Sequence, residues 1–139
     1  MPWGNSIGEF VGKVMSIRHN DIGGGQRKLE SDLAGEASGT APGKHYGTLT
    51  LVVGSEGLTN PVPFSYVGTT LMSSGAVVGI SQSGFAQHTG EGHKIRYRGV
   101  ARFSTTDPKL AAVNSLVFVV ETEIDGATMG VKAEGYEWK

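Results

Sequence analysis

The chain has 139 residues, 12 Lys and Arg against 13 Asp and Glu, and no cysteine. This length suits one domain with a substantial core, and a net charge of −1 argues against nucleic acid as the main partner, because phosphate binding normally leaves a basic excess. The absence of cysteine excludes disulfides, thiolate nucleophiles and Cys-ligated metal sites.

Eight strands, separated by Gly-rich or polar breaks, are predicted along the chain. They lie at approximately 7–18, 27–38, 44–53, 62–72, 76–85, 93–104, 115–124 and 128–138. Between the sixth and seventh, the stretch TDPKLAAVN predicts one short helix near 107–114, since Asp107 can cap it and Pro108 suits its first turn. The pattern predicts a single all-β domain over residues 1–139, folded as an eight-stranded antiparallel barrel.

Side-chain alternation assigns an inner and an outer face to some of these strands. In 44–53 the inner face carries His45 and Leu49, and in 93–104 it carries His93 and Tyr97. The faces of 62–72, which includes Tyr66, and of 76–85 stay open, because both strands have apolar residues on each side.

The last two strands are predicted to form a hairpin with a two-residue turn at 125–126, because Asp-Gly suits the positive φ angles of such turns. With that turn Ile124 faces Ala127, and Phe118 and Met129 share the inner face. A bulged turn would change this register. Alternation also places most of the hairpin's acidic residues on the outer face, beside basic residues of 93–104, and leaves one acid with inward parity. The outer acids are Glu121, Glu123 and Glu134, the basic residues include Arg96 and Arg98, and the inward acid is Glu137.

Two resemblances to known families rest on particular stretches. Arg98-Gly99, Lys109-Leu110-Ala111, Asn114 and Glu137-Trp138-Lys139 resemble a group of small, uncharacterised bacterial proteins that end in a KLA-x-x-N helix and a hairpin closing on EWK. The Gly-rich strands and DLAGEASG at 32–39 are similar to allene oxide cyclase-like barrels, whose shape is also lipocalin-like. The second resemblance implies an apolar cavity and enzymes that fold a flexible substrate and let it cyclise, but no catalytic residue transfers by position.

These observations favour a small-molecule-binding barrel, with cyclase or isomerase activity on an apolar substrate as the enzymatic form. The alternatives are a non-catalytic carrier or sensor of a hydrophobic metabolite, and a structural or assembly barrel without a ligand. The catalytic residues are unknown. Candidates are the polar side chains expected inside the barrel or at its mouth, namely His45, His93, Tyr97 and Glu137. The predicted ligand contacts are Leu49, Tyr66, Tyr97, Phe118 and Met129.

Neither a metal site nor a cofactor is predicted. His88, Glu91 and His93 in HTGEGH carry metal-binding groups, but their spacing fits no established motif and the stretch is typical of a turn. No run approaches the roughly 20 apolar residues of a membrane span, and no signal peptide is evident, so a cytoplasmic location is expected.

Apolar residues with outward parity indicate that part of the barrel exterior is covered. Val100, Val117 and Val119 belong to this set, together with Tyr136 and Trp138. Because a monomer seldom exposes so large an apolar patch, we expect a homodimer or a higher symmetric assembly.

Overall fold

The computed structural model describes residues 4–138, which form one closed barrel of eight antiparallel strands. Each strand pairs with the next along the chain, and β8 closes the ring on β1. The predicted eight-stranded antiparallel barrel is therefore confirmed. The strands are β1 Ser6–Gly23, β2 Gln26–Gly39, β3 Gly43–Val53, β4 Val62–Leu71, β5 Val77–His88, β6 Lys94–Ser104, β7 Val117–Asp125 and β8 Gly130–Glu137.

The predicted short helix is also present, as a 3₁₀ helix over Pro108–Ser115. Asp107 caps it: its Oδ1 accepts a hydrogen bond from the backbone N–H of Lys109 at 2.9 Å. Asn114 ties the same segment to the end of β6, because its Oδ1 accepts from the Thr105 N–H at 2.8 Å and its Nδ2 donates to the Thr105 carbonyl at 3.0 Å. Among residues 4–138, no helix is long and apolar enough to cross a membrane.

The hairpin between β7 and β8 differs from the predicted one. Asp125 pairs with Gly130, and Ile124 lies opposite Val131 rather than Ala127, so the predicted two-residue turn is wrong. The Asp125 side chain accepts a hydrogen bond from the Ala127 N–H at 2.9 Å, which favours a longer turn. The register is displaced by four residues (131 − 127), and this even number preserves the predicted inner and outer faces.

The first hairpin is longer than expected, because β1 continues to Gly23 and not to residue 18. Only Ser6 to Lys13 of β1 pair with β8, so the rest of this strand has β2 alone as its neighbour. Met15 and Ile17 are exposed in this projecting part. The later part of β1 therefore forms a free sheet edge, while β2 beside it still pairs with β3 as far as Arg27.

The core consists of the inward-facing residues of the strands. One buried cluster includes Leu33, Leu51, Phe64, Ile124 and Val131. A smaller one joins Ala101, Phe118 and Val120. Lys139, the last residue of the predicted EWK ending, lies outside the described residues.

Several outward residues expected at an interface are exposed. Val100 is 38% exposed, Val117 41% and Trp138 57%, whereas Val119 is buried within the chain itself. The Tyr136 hydroxyl donates to Glu134 at 2.6 Å. The expected homo-oligomer stays a prediction.

Candidate functional site

The barrel encloses a cavity of about 110 Å³ to which all eight strands contribute. Its lining is mainly apolar, with Leu49, Phe64 and Phe118 among the side chains. Ile7 and Ala37 extend it toward the end of the barrel at which β1 begins and β2 finishes. The polar side chains that share this lining are Glu9, Ser38, His45, Tyr66, Thr70, Gln82, Tyr97, Thr122 and Glu134.

Three of these polar groups form a hydrogen-bonded chain centred on His45. The Nε2 atom of His45 lies 2.6 Å from the Tyr66 hydroxyl oxygen, and its Nδ1 lies 2.8 Å from Thr70 Oγ1. A neutral imidazole has one donor and one acceptor nitrogen, so the chain can run in either direction. Phe10 packs edge-on against the His45 ring, with 5.0 Å between ring centroids. Both ring nitrogens of His45 are therefore engaged.

A pair of glycines makes this chain possible. His45 lies directly opposite Thr70, and Gly47 lies directly opposite Gly68 on the same two strands. A Cβ added at Gly47 would come within 1.9 Å of the Tyr66 hydroxyl, and one added at Gly68 within 2.7 Å of the His45 ring. The two side chains thus cross diagonally over backbone that carries no side chain. The motifs HYG and YVG, at 45–47 and 66–68, encode this crossing.

Burial keeps three polar side chains of the cavity uncharged near neutral pH. Desolvation lowers the pKa of His45 to about 4, which leaves the imidazole neutral. The same cause raises the pKa of Tyr66, and it raises the pKa of Tyr97 to about 12. These three side chains therefore present neutral donors and acceptors to the interior.

Gln82 differs from the other polar residues of the cavity. It lies directly opposite Tyr66 on β4 and Ala101 on β6, and its side chain is within contact distance of the backbone at Gly99. Gln82 is 9% exposed, and its Nε2 has no hydrogen-bond partner among residues 4–138.

The structure brings four of the five predicted ligand contacts together. Leu49, Tyr66, Tyr97 and Phe118 all line the cavity and are buried. Met129 does not line it: this residue lies in the turn between β7 and β8, with a φ of 63° and 38% exposure. The longer turn explains the difference, because it removes Met129 from the inner face of β8.

The catalytic candidates are separated. His45 and Tyr97 line the cavity. His93 is exposed in the turn before β6, at the opposite end of the barrel from His45. Glu137 lies opposite Phe118, and its Oε2 accepts from the Asn5 N–H at 3.3 Å, but it is not among the lining residues. A catalytic role for any of these four stays a prediction.

The outer acids follow the predicted arrangement. Arg98 pairs with Glu121 and Arg96 with Glu123 across β6 and β7, and the Arg98 Nε atom lies 3.8 Å from a Glu121 carboxylate oxygen. In the HTGEGH turn, His88 Nε2 lies 2.8 Å from the Gly92 carbonyl oxygen, and its Nδ1 accepts from the Gly90 N–H at 2.9 Å. No group of three or more potential metal ligands occurs within residues 4–138.

Sequence reasoning did not identify Thr70 and Gln82 as site residues. Both lie on strands whose faces the apolar pattern left open. The pattern of β5 is ambiguous because Val77 and Phe85 are exposed outward while Val78 is buried inward. One indication of the position of Gln82 was present in the sequence: it lies four residues after Val78, and therefore on the same face of β5.

The fold has counterparts among solved structures. The chain is similar to a protein of unknown function from Clostridium acetobutylicum ATCC 824, with a TM-score of 0.78 and 16% identity over 96% of this chain and 94% of that one. It is similar to a β-barrel-like protein from Acinetobacter baumannii AYE, with a TM-score of 0.77 and 14% identity over 96% and 93%. A conserved protein of unknown function from Rhodopseudomonas palustris gives a TM-score of 0.77 and 15% identity over 96% and 95%. No family model and no curated protein matches the sequence. At these identities the likeness shows the fold alone.

Proposed function

We propose that this protein binds a small, largely apolar molecule in the barrel cavity and promotes its cyclisation or isomerisation there. The cavity of about 110 Å³ carries the proposal, because an apolar lining with a few uncharged polar groups is typical of small-molecule sites. Its volume is close to that of an engineered cavity of about 150 Å³ that binds benzene. It is below the roughly 300 Å³ of the smallest drug-sized pockets. We therefore expect a ligand the size of one ring or a short chain.

The reaction is supported by His45 and Tyr66. An isomerisation that moves a proton needs a base that takes a proton from the substrate and an acid that returns one to it, and the imidazole and phenol, 2.6 Å apart in the cavity, are groups of these two kinds. Cyclisation needs still less, because a cavity that holds a flexible chain in a reactive conformation accelerates ring closure by proximity. The proposed resemblance to allene oxide cyclase-like barrels agrees with both.

Binding is tested with cyclic probes of six to eight heavy atoms, monitored by ligand-observed NMR and by the shift in melting temperature. Ala133→Leu fills the cavity from β8 and is expected to abolish binding. Ala112→Leu adds the same group on the exposed helix surface and should leave binding unchanged. Equal binding by both variants would contradict the proposal.

Catalysis is tested on compounds that copurify with the protein from the expressing cells. Released compounds are identified by mass spectrometry and incubated with fresh protein. Cyclisation and isomerisation leave the mass unchanged, so we expect a product of equal mass and different retention time. Recovery of the compound unchanged would instead identify a carrier. The cytoplasmic location stays a prediction, which subcellular fractionation checks.

A further inference from the structure

Three polar side chains inside the barrel bind one another, whereas one fully buried amide nitrogen has no partner. His45, Tyr66 and Thr70 satisfy one another through two contacts of 2.6 and 2.8 Å. Within residues 4–138, Gln82 Nε2 is the only buried side-chain nitrogen or oxygen without a partner. Because buried polar groups in native proteins are nearly always hydrogen-bonded, an unpaired amide that lines a cavity requires an explanation.

The position of Gln82 indicates that its partner comes from the cavity. The residue is about nine-tenths buried, and its neighbours across the sheet are Tyr66 and Ala101. The Tyr66 hydroxyl is directed along the barrel to His45, across Gly47. Ala101 and the adjacent Gly99 offer no side-chain acceptor. Gln82 lines the cavity, so a molecule bound there can supply the acceptor that Nε2 lacks.

The charges around the cavity restrict what that molecule can be. No Lys or Arg is among the described lining residues, and the charged residues there, Glu9 and Glu134, are both acidic. An anion would have to leave water without a cation to pair with, which is unfavourable in an apolar interior. A neutral oxygen, by contrast, accepts one N–H bond without a charge penalty.

We propose that Gln82 is the polar recognition residue of the cavity, and that the ligand is a neutral apolar molecule bearing a carbonyl or hydroxyl oxygen. The amide of Gln82 donates from Nε2 to that oxygen, while the apolar lining encloses the carbon frame. This inference rests on the proposed binding function and names the class of ligand that it serves. It discriminates against fatty acids and other carboxylates of similar size.

The test uses three matched probes on the full-length protein: cyclohexanone, methylenecyclohexane and cyclohexanecarboxylate. The first two have the same shape and differ in the oxygen. Affinities are measured for the wild type, for Gln82→Leu and for Gln87→Leu, which makes the same change at an exposed position of β5. The ratio of ketone to alkene affinity is compared between proteins, because this comparison cancels the different hydration of the two probes in water.

We expect Gln82→Leu to lower the ketone-to-alkene ratio by about 2- to 10-fold, the value of one net hydrogen bond. Gln87→Leu should leave the ratio unchanged, because Gln87 is exposed and its Nε2 donates to the Thr59 carbonyl outside the cavity. The carboxylate should bind more weakly than the ketone. In the wild type, the side-chain amide resonances of Gln82, assigned by triple-resonance NMR, should shift with the ketone and not with the alkene. This last measurement needs no variant.

The outcomes separate the two proposals. If no probe binds, the proposed function fails and the inference fails with it. If the probes bind but the ratio does not depend on Gln82, or falls equally in Gln87→Leu, the inference is overturned and the binding function stands. Carboxylate binding as tight as ketone binding would overturn the neutral-ligand class.

Discussion

Acidification from neutral pH should destabilise the protein through His45. The pKa of this imidazole is about 4 in the folded state and 6.5 in the reference state. Between these values the unfolded chain binds a proton that the folded chain rejects, so the free energy of unfolding falls as pH falls through this range. Because His45 is only 6% exposed, little solvent screening reduces the effect. The expected loss between pH 7 and pH 4.5 is about 2.5 kcal/mol.

Urea denaturation at several pH values between 7 and 4.5 measures this loss. Carboxyl groups with lowered pKa values, such as those of Asp32 and Glu134, also lose part of their stabilising effect toward the acid end of this range, so the loss due to His45 is read from a comparison with a variant. His45→Gln serves as the matched control, since glutamine occupies the site without titrating. The variant is expected to be less stable at pH 7, but its free energy of unfolding should fall by about 2.5 kcal/mol less between pH 7 and pH 4.5. Parallel pH profiles for the two proteins would refute the assignment of a buried neutral imidazole.

Three further predictions concern the cavity and the exterior. Gly47→Ala should lower the free energy of unfolding in urea denaturation by about 1–3 kcal/mol, because the added Cβ would meet the Tyr66 hydroxyl. Gly54→Ala, whose Cβ would lie in open space, should change stability far less, and equal effects of the two variants would contradict the packing argument. Phe118→Ala should lower the free energy of unfolding by about 3–5 kcal/mol and alter probe binding. Glu121→Ala, on the outer face of β7, should change it by at most about 1 kcal/mol, and a larger effect would indicate that Glu121 faces inward. The expected homo-oligomer should give a mass above that of one chain in light scattering at micromolar concentration, and a monomeric mass would count against it.

The inner face of a strand could be predicted from the sequence wherever apolar and polar residues alternate regularly. His45, Leu49 and Tyr97 were assigned inward and are buried there. The hairpin of β7 and β8 kept its faces despite a wrong turn, because the displacement was even. Alternation along a strand decides which face each side chain occupies, and a register error of an even number of residues leaves that face unchanged.

The hydrogen-bonded chain could not be predicted, because it depends on the register between β3 and β4. The contact of His45 with Tyr66 is diagonal across the Gly47–Gly68 pair, and a shift of two residues would preserve both faces while breaking it. The connection at 54–61 carries no turn signature that sets this register. The inward orientation of Gln82 could not be predicted for a related reason. Phe85 on β5 is exposed outward, so both faces of this strand carry apolar residues in the sequence.

Closure of the ring has a consequence for how the chain folds. Every other neighbouring pair consists of consecutive strands, whereas the pairing of β1 with β8 joins Gly8 to Gly135 across nearly the whole chain. The consecutive hairpins can form from local contacts, but the last seam gains its hydrogen bonds only after the entropy of closing that long loop has been lost. We expect formation of this seam to set the folding rate. In stopped-flow refolding, substitutions in residues 6–13 that weaken the pairing with β8 should therefore slow folding. Until the seam forms, the inner row of apolar side chains faces water on an open curved sheet, so the cavity exists only in the completed ring.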